Sequence, residues 1–102
     1  MYTSAKQLQD PSAKEHRREG GIWLRELREK RGLSQRQLAD AVGLDYYTFV
    51  SQLETGRGRI PPDRYTAWAR ALGVEPRWFV TNLLRFYDPM TYAVLFEDND
   101  RP

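Results

Sequence analysis

A chain of 102 residues holds one hydrophobic core and little besides, because a core of ordinary density uses up most of so short a sequence. It has no cysteine and one histidine, His16, which excludes disulfides and thiolate metal sites and leaves a zinc ion only carboxylates, so no metal and no cofactor is expected. No run approaches the ~20 apolar residues that span a bilayer, and residues 1–20 lack an apolar signal segment, so neither secretion nor membrane insertion is expected and the chain reads as cytoplasmic.

The charge is unevenly spread. The formal net charge is +2 and the pI about 9.1. Asp88, Glu97, Asp98 and Asp100 stand against Arg101 alone at the C-terminal end, which leaves 15 basic and 10 acidic residues, +5, for residues 1–87. The basic side chains are nearly all arginine, whose planar fork suits phosphate and guanine. On composition alone, solvated, salt-bridged helix faces are the preferred reading.

Residues 1–20 read as a flexible basic arm. Asp10-Pro11 could cap a short helix carrying Lys14, Arg17 and Arg18, but a helix of that length is marginal by itself. From 21 to 87 helical segments alternate with Gly or Pro breaks, and no Val/Ile/Thr alternation marks a sheet. The first helix is expected over 22–30, burying Ile22, Leu24 and Leu27 with Trp23 at the edge, and ending at Gly32. The second opens with a capping box, Ser34-Gln35-Arg36-Gln37, buries Leu38, Ala39 and Val42, and ends at Gly43.

The third is expected from Asp45 as N-cap, with Tyr46, Phe49, Val50 and Leu53 on the buried face and Tyr47, Thr48, Ser51, Gln52 and Thr55 outside. Residues 55–62 form a loop displaying Arg57 and Arg59. Pro62 fits the first turn of a fourth helix that buries Tyr65, Trp68, Ala69 and Leu72 and stops at Gly73. Pro76 opens a fifth, whose Phe79, Val80, Leu83, Leu84, Phe86 and Tyr87 exceed what one small core needs and point to a partner. Residues 88–102 form a C-terminal extension with an acidic end. Asp88-Pro89 favours a helix over Met90, Ala93, Val94 and Leu95, although Tyr92, Val94 and Phe96 alternate as a strand would, and residues 99–102 should be disordered.

The string Leu27-Arg28-Glu29-Lys30-Arg31-Gly32-Leu33-Ser34-Gln35, followed by Leu38-Ala39, Gly43 and Leu53-Glu54-Thr55-Gly56, closely resembles the lambda-repressor-like (Cro/C1, XRE) helix-turn-helix family over residues 22–74. The resemblance implies an all-α fold: a five-helix lambda-repressor-like DNA-binding domain, here with an N-terminal arm and a short C-terminal extension. Its second and third helices would form the helix-turn-helix. It further implies that Gln35 bonds a phosphate, that Arg28 and Glu54 bridge the first helix to the third, and that Tyr47, Thr48 and Gln52 reach base edges, with Ser51 between groove and phosphates. One departure is visible. Between Gly43 and Gly56 the chain has one residue more than the usual pattern, and counting back from Glu54 puts the addition at Leu44-Asp45.

The residues supply the matching chemistry. Gln52 can bond adenine N6 and N7 together, worth about 1–3 kcal/mol of discrimination, and Thr48 can bond a base edge or touch a thymine methyl. Tyr47 either meets the DNA or packs on Tyr46. Arg57 and Arg59, beside Gly56 and Gly58, are expected on phosphates. Arg36 is either a further phosphate contact or a plain exposed helix residue, and Lys14, Arg17 and Arg18 read first as a solvated tail.

The function expected is a sequence-specific, nucleoid-associated regulator of transcription, a repressor that binds an inverted repeat of double-stranded DNA as a homodimer through the major groove. Alternatives are an antitoxin whose segment 89–102 masks a toxin, or a protein-interaction module. No enzyme is expected: Glu54 is committed to Arg28, His16 lies in the arm, and no nucleophile sits beside a base.

Overall fold

The computed structural model describes residues 12–97. They fold as helices α1 (Ala13–Lys30), α2 (Gln35–Ala41), α3 (Thr48–Glu54), α4 (Tyr65–Ala71), α5 (Pro76–Tyr87) and α6 (Pro89–Tyr92). A 3-10 turn, Pro62–Arg64, leads into α4, and a π-helical turn, Ala93–Glu97, follows α6. No strand occurs among the described residues. The five expected helices are present, and the segment after Asp88 is helical, as favoured over a strand.

The first helix differs from the expectation. Residues 13–20, read as part of a mobile arm, are the opening turns of α1; residues 1–11 lie outside the described part. The cause is Gly20-Gly21. Each of two mid-helix glycines costs about 1 kcal/mol relative to alanine in a helix standing alone. Here both are buried where α1 crosses its neighbours. A Cβ on Gly21 would collide with the backbone carbonyl of Glu54 and come within 2.6 Å of that of Leu53, and one on Gly20 would meet the Cβ of Phe86 at 2.8 Å. The missing side chains let α1 rest directly on α3 and α5, and that contact stabilises turns that are marginal alone.

Around this crossing lies the core: Leu24 from α1, Leu38 and Val42 around α2, Val50 and Leu53 from α3, Trp68 and Leu72 around α4, and Phe79 and Leu83 from α5. Trp23 stacks on Phe79, with centroids 5.5 Å apart and planes at 21°, and meets Phe86 at 5.6 Å. Much of the apolar excess of α5 is thus covered by α1. Large apolar or aromatic side chains that remain outside are Ile22, Tyr46, Tyr47, Trp78, Met90, Val94, Leu95 and Phe96. Ile22, expected inside, is 46% exposed.

Local signals set the helix ends. Ser34 Oγ accepts from the Gln37 backbone N–H at 3.0 Å while Gln37 Oε1 accepts from the Ser34 N–H at 2.8 Å, the full capping box. Glu75 caps α5 by accepting from the Trp78 N–H at 2.7 Å. Gly43 has φ +79°, and the Leu44 N–H reaches back to the Ala39 carbonyl at 2.8 Å, a Schellman turn that needs a residue without Cβ strain.

α3 begins later than expected. Tyr47, and not Asp45, precedes its first turn, with no side-chain cap, and Tyr46 is 75% exposed instead of buried. Leu44 packs against the core, and Asp45 and Tyr46 form an exposed span before the chain turns into the helix.

Candidate nucleic-acid interface

The first helix fixes the helix-turn-helix through one buried cluster. Arg28 lays its fork on Glu54, Nε to Oε2 at 2.6 Å and Nη2 to Oε1 at 3.0 Å, and its Nη1 donates to the Leu33 carbonyl at 2.8 Å. Gln35 Nε2 donates to Glu54 Oε1 at 3.0 Å. The Arg28 and Glu54 side chains are 9% and 5% exposed. Hydrogen bonding to Glu54 raises the Arg28 guanidinium above its ordinary value, against the opposing pull of desolvation, so the arginine stays charged at any working pH. The cluster ties the end of α1, the start of α2 and the end of α3 at one point.

With Val50 and Leu53 in the core, Thr48 and Gln52 are exposed and Ser51 half-buried on the opposite face of α3. Tyr47, Thr48, Ser51 and Gln52 follow the i, i+1, i+4, i+5 spacing of one helix face. The side chains of Thr48 and Gln52 make no hydrogen bond to the described residues, and their polar atoms are free for an outside partner. Thr55 is different: its hydroxyl donates to the carbonyls of Ser51 and Gln52 at 3.0 and 3.1 Å and so closes the helix. Tyr47 neither stands alone nor packs on Tyr46 in an aromatic pair. The Arg36 guanidinium lies over its ring, 5.2 Å from the centroid, which joins α2 and α3 on the outer surface.

Gly56, with φ +79°, ends α3, and the Arg57 N–H bonds the Gln52 carbonyl at 2.8 Å. Arg57 is exposed. Arg59, expected on a phosphate, is paired within the protein. Its Nη2 donates to Asp88 Oδ2 at 2.8 Å, its Nη1 to the Tyr87 carbonyl at 3.4 Å, and its guanidinium covers the Tyr87 ring at 4.8 Å. The physical reason is the fold of the loop: Ile60 is fully buried and its N–H donates to the Tyr87 hydroxyl at 3.2 Å, which draws Arg59 onto the end of α5. Burial pushes the Tyr87 hydroxyl up to about 12.

Two elements of this surface were missed in the sequence. Arg64 Nη2 donates to the Val42 carbonyl at the end of α2, so the residue before α4 caps the turn between α2 and α3. Gly20-Gly21 seat α1 on α3. Arg64 carries no sequence signal, since its partner lies 22 positions away. An adjacent glycine pair inside a helical stretch could have been taken as a close crossing.

The helix-turn-helix family profile (HTH_3) matches residues 24–79, more than half of the chain. Among solved structures the chain is similar to the restriction-modification controller protein C.AhdI from Aeromonas hydrophila, with 37% identity and a TM-score of 0.55, covering 64% of this chain and 96% of that one. No curated protein matches. No helix among the described residues is long and apolar enough to cross a membrane. The lock of α1 on α2 and α3, the polar outer face of α3 and these likenesses agree: the chain belongs to the helix-turn-helix family and is a DNA-binding transcriptional regulator, not an enzyme.

Proposed function

We propose that the protein is a sequence-specific repressor that binds an inverted repeat as a homodimer, laying α3 in the major groove of each half-site. The observation that carries this reading is the free polar face of α3 held rigid from behind: Thr48 and Gln52 exposed in front, and the Arg28–Glu54–Gln35 cluster locking the helix from the other side. In this reading Gln52, Thr48, Ser51 and Tyr47 read base edges, while Gln35, Arg36 and Arg57 hold phosphates. Arg59 positions the loop that carries Arg57. The exposed apolar side chains Met90, Val94, Leu95 and Phe96 support a second copy docking through the C-terminal extension.

The likeness to a restriction-modification controller favours one narrower version, in which the protein controls the transcription of restriction-modification genes. Selection of random duplex DNA by the purified protein, near physiological salt, tests the reading. Enrichment of two half-sites about 34 Å apart, one helical turn, supports the dimeric reader. Weak, strongly salt-dependent binding with no enriched motif removes sequence-specific reading.

A further inference from the structure

Arg18 lies where α1 crosses the end of the recognition helix. A Cβ on Gly56 would stand 2.7 Å from the Cα of Arg18 and 2.8 Å from its nitrogen. The backbone of α1 therefore touches the residue that caps α3, and the next residue is Arg57. Both side chains face water: Arg18 is 60% exposed, and its ion pair among the described residues, to Glu15, is 3.6 Å long and equally solvated. Arg57 has no ion-pair partner among the described residues. Glu54, the carboxylate nearest in sequence to Arg57, gives both oxygens to Arg28 and Gln35. The crossing thus brings the backbone of Arg18 against the residue before Arg57 and leaves both arginines solvated at one end of α3, where their charges are open to an outside anion.

We propose that Arg18 and Arg57 together grip the DNA phosphate backbone beyond the recognition helix, so that the opening turns of α1, which lie outside the family match, widen the footprint on DNA. The inference rests on the reading of α3 as a base reader and adds a sequence-independent contact to it. Duplex DNA offers one negative charge per ~1.7 Å of axis, and each phosphate neutralised adds about 0.9 to the slope of log K against log salt.

The test is a salt titration, from about 50 to about 200 mM, of binding to two labelled duplexes, one carrying the enriched repeat and one of scrambled sequence. Arg18→Ala should weaken both duplexes by the same factor and lower the salt slope by about 0.9, with Arg57→Ala doing likewise. Arg18→Lys should keep most of the slope. Gln52→Ala should weaken only the repeat, and Arg25→Ala, exposed on the same helix and paired with Glu29, should leave the slope unchanged. An Arg18→Ala protein with wild-type thermal unfolding and a wild-type slope overturns the proposal, even while Gln52→Ala still separates the two duplexes. A Gln52→Ala protein that treats both duplexes like the wild type overturns the base-reading assignment instead, and the slope of Arg18→Ala still decides the phosphate contact. Failure of the wild type to bind either duplex overturns both.

Discussion

Two arginine–carboxylate pairs bracket the loop after α3, and they differ in little but solvent. Arg28–Glu54 closes at 2.6 Å with side chains 9% and 5% exposed; Arg59–Asp88 closes at 2.8 Å with both 43% exposed. Distance does not separate them. In the first, water cannot replace a lost partner, and a third group, Gln35, shares the carboxylate. In the second, water competes for both charges, and the stacking of Arg59 on Tyr87 at 4.8 Å adds packing that survives loss of the carboxylate. The inner pair locks the geometry of the recognition helix, whereas the outer pair only steers a loop.

Breaking the inner pair is the sharpest test of that difference. Glu54→Ala leaves Arg28 buried without a counter-charge, and urea unfolding should show a loss of about 3–5 kcal/mol. DNA binding should fall with it, because Gln35 loses its anchor.

Tyr87, which sits beneath the outer pair, gives the next effect. Its hydroxyl titrates near 10 when unfolded and about 12 when folded, so between these values the unfolded chain binds fewer protons than the native one. Stability contributed by Tyr87 is therefore complete below about pH 10 and declines as pH rises to about 12, by roughly 2–3 kcal/mol in all. Urea unfolding across that range should show Tyr87→Phe falling less steeply than the wild type.

Gly21→Ala tests whether the inner end is held by close backbone contact as well as by charge. In an exposed helix the change would stabilise by up to about 1 kcal/mol; here the methyl meets the carbonyls of Leu53 and Glu54, and thermal unfolding should report a loss of about 1–3 kcal/mol. The smallest effect belongs to the outer pair. Asp88→Ala should cost no more than about 1 kcal/mol, shrinking further at high salt, and a loss equal to that of Glu54→Ala would erase the contrast between the pairs.

The helix ends set by local causes were legible in the sequence, whereas the starts of α1 and α3 were not. Ser34 and Gln37 are three residues apart, Gly43 and Gly56 close their helices through bonds reaching back five residues or fewer, and Pro76 opens α5 as expected. The alternation that buried Val50 and Leu53 also left Thr48 and Gln52 outside, so the outer face of α3 could be drawn before any fold was known. Arg28 and Glu54, 26 residues apart, were paired through the family resemblance and not by any local pattern.

Tertiary structure alone decided the rest. Gly20-Gly21 weakens a helix in isolation and permits one when two others pass within contact distance, so residues 13–20 could not be assigned without their neighbours. The partner of Arg59 lies 29 positions away and was brought to it by the burial of Ile60. Ile22 and Tyr46 are apolar or aromatic residues that a period would bury, yet they stand exposed, because which side of a helix becomes the inside is settled by what packs against it. Sequence by itself determined the elements with short-range causes, namely caps, stops and periodicity. Contacts between residues far apart in the chain decided where those elements cross, and with them which arginines are locked inside and which remain at the surface.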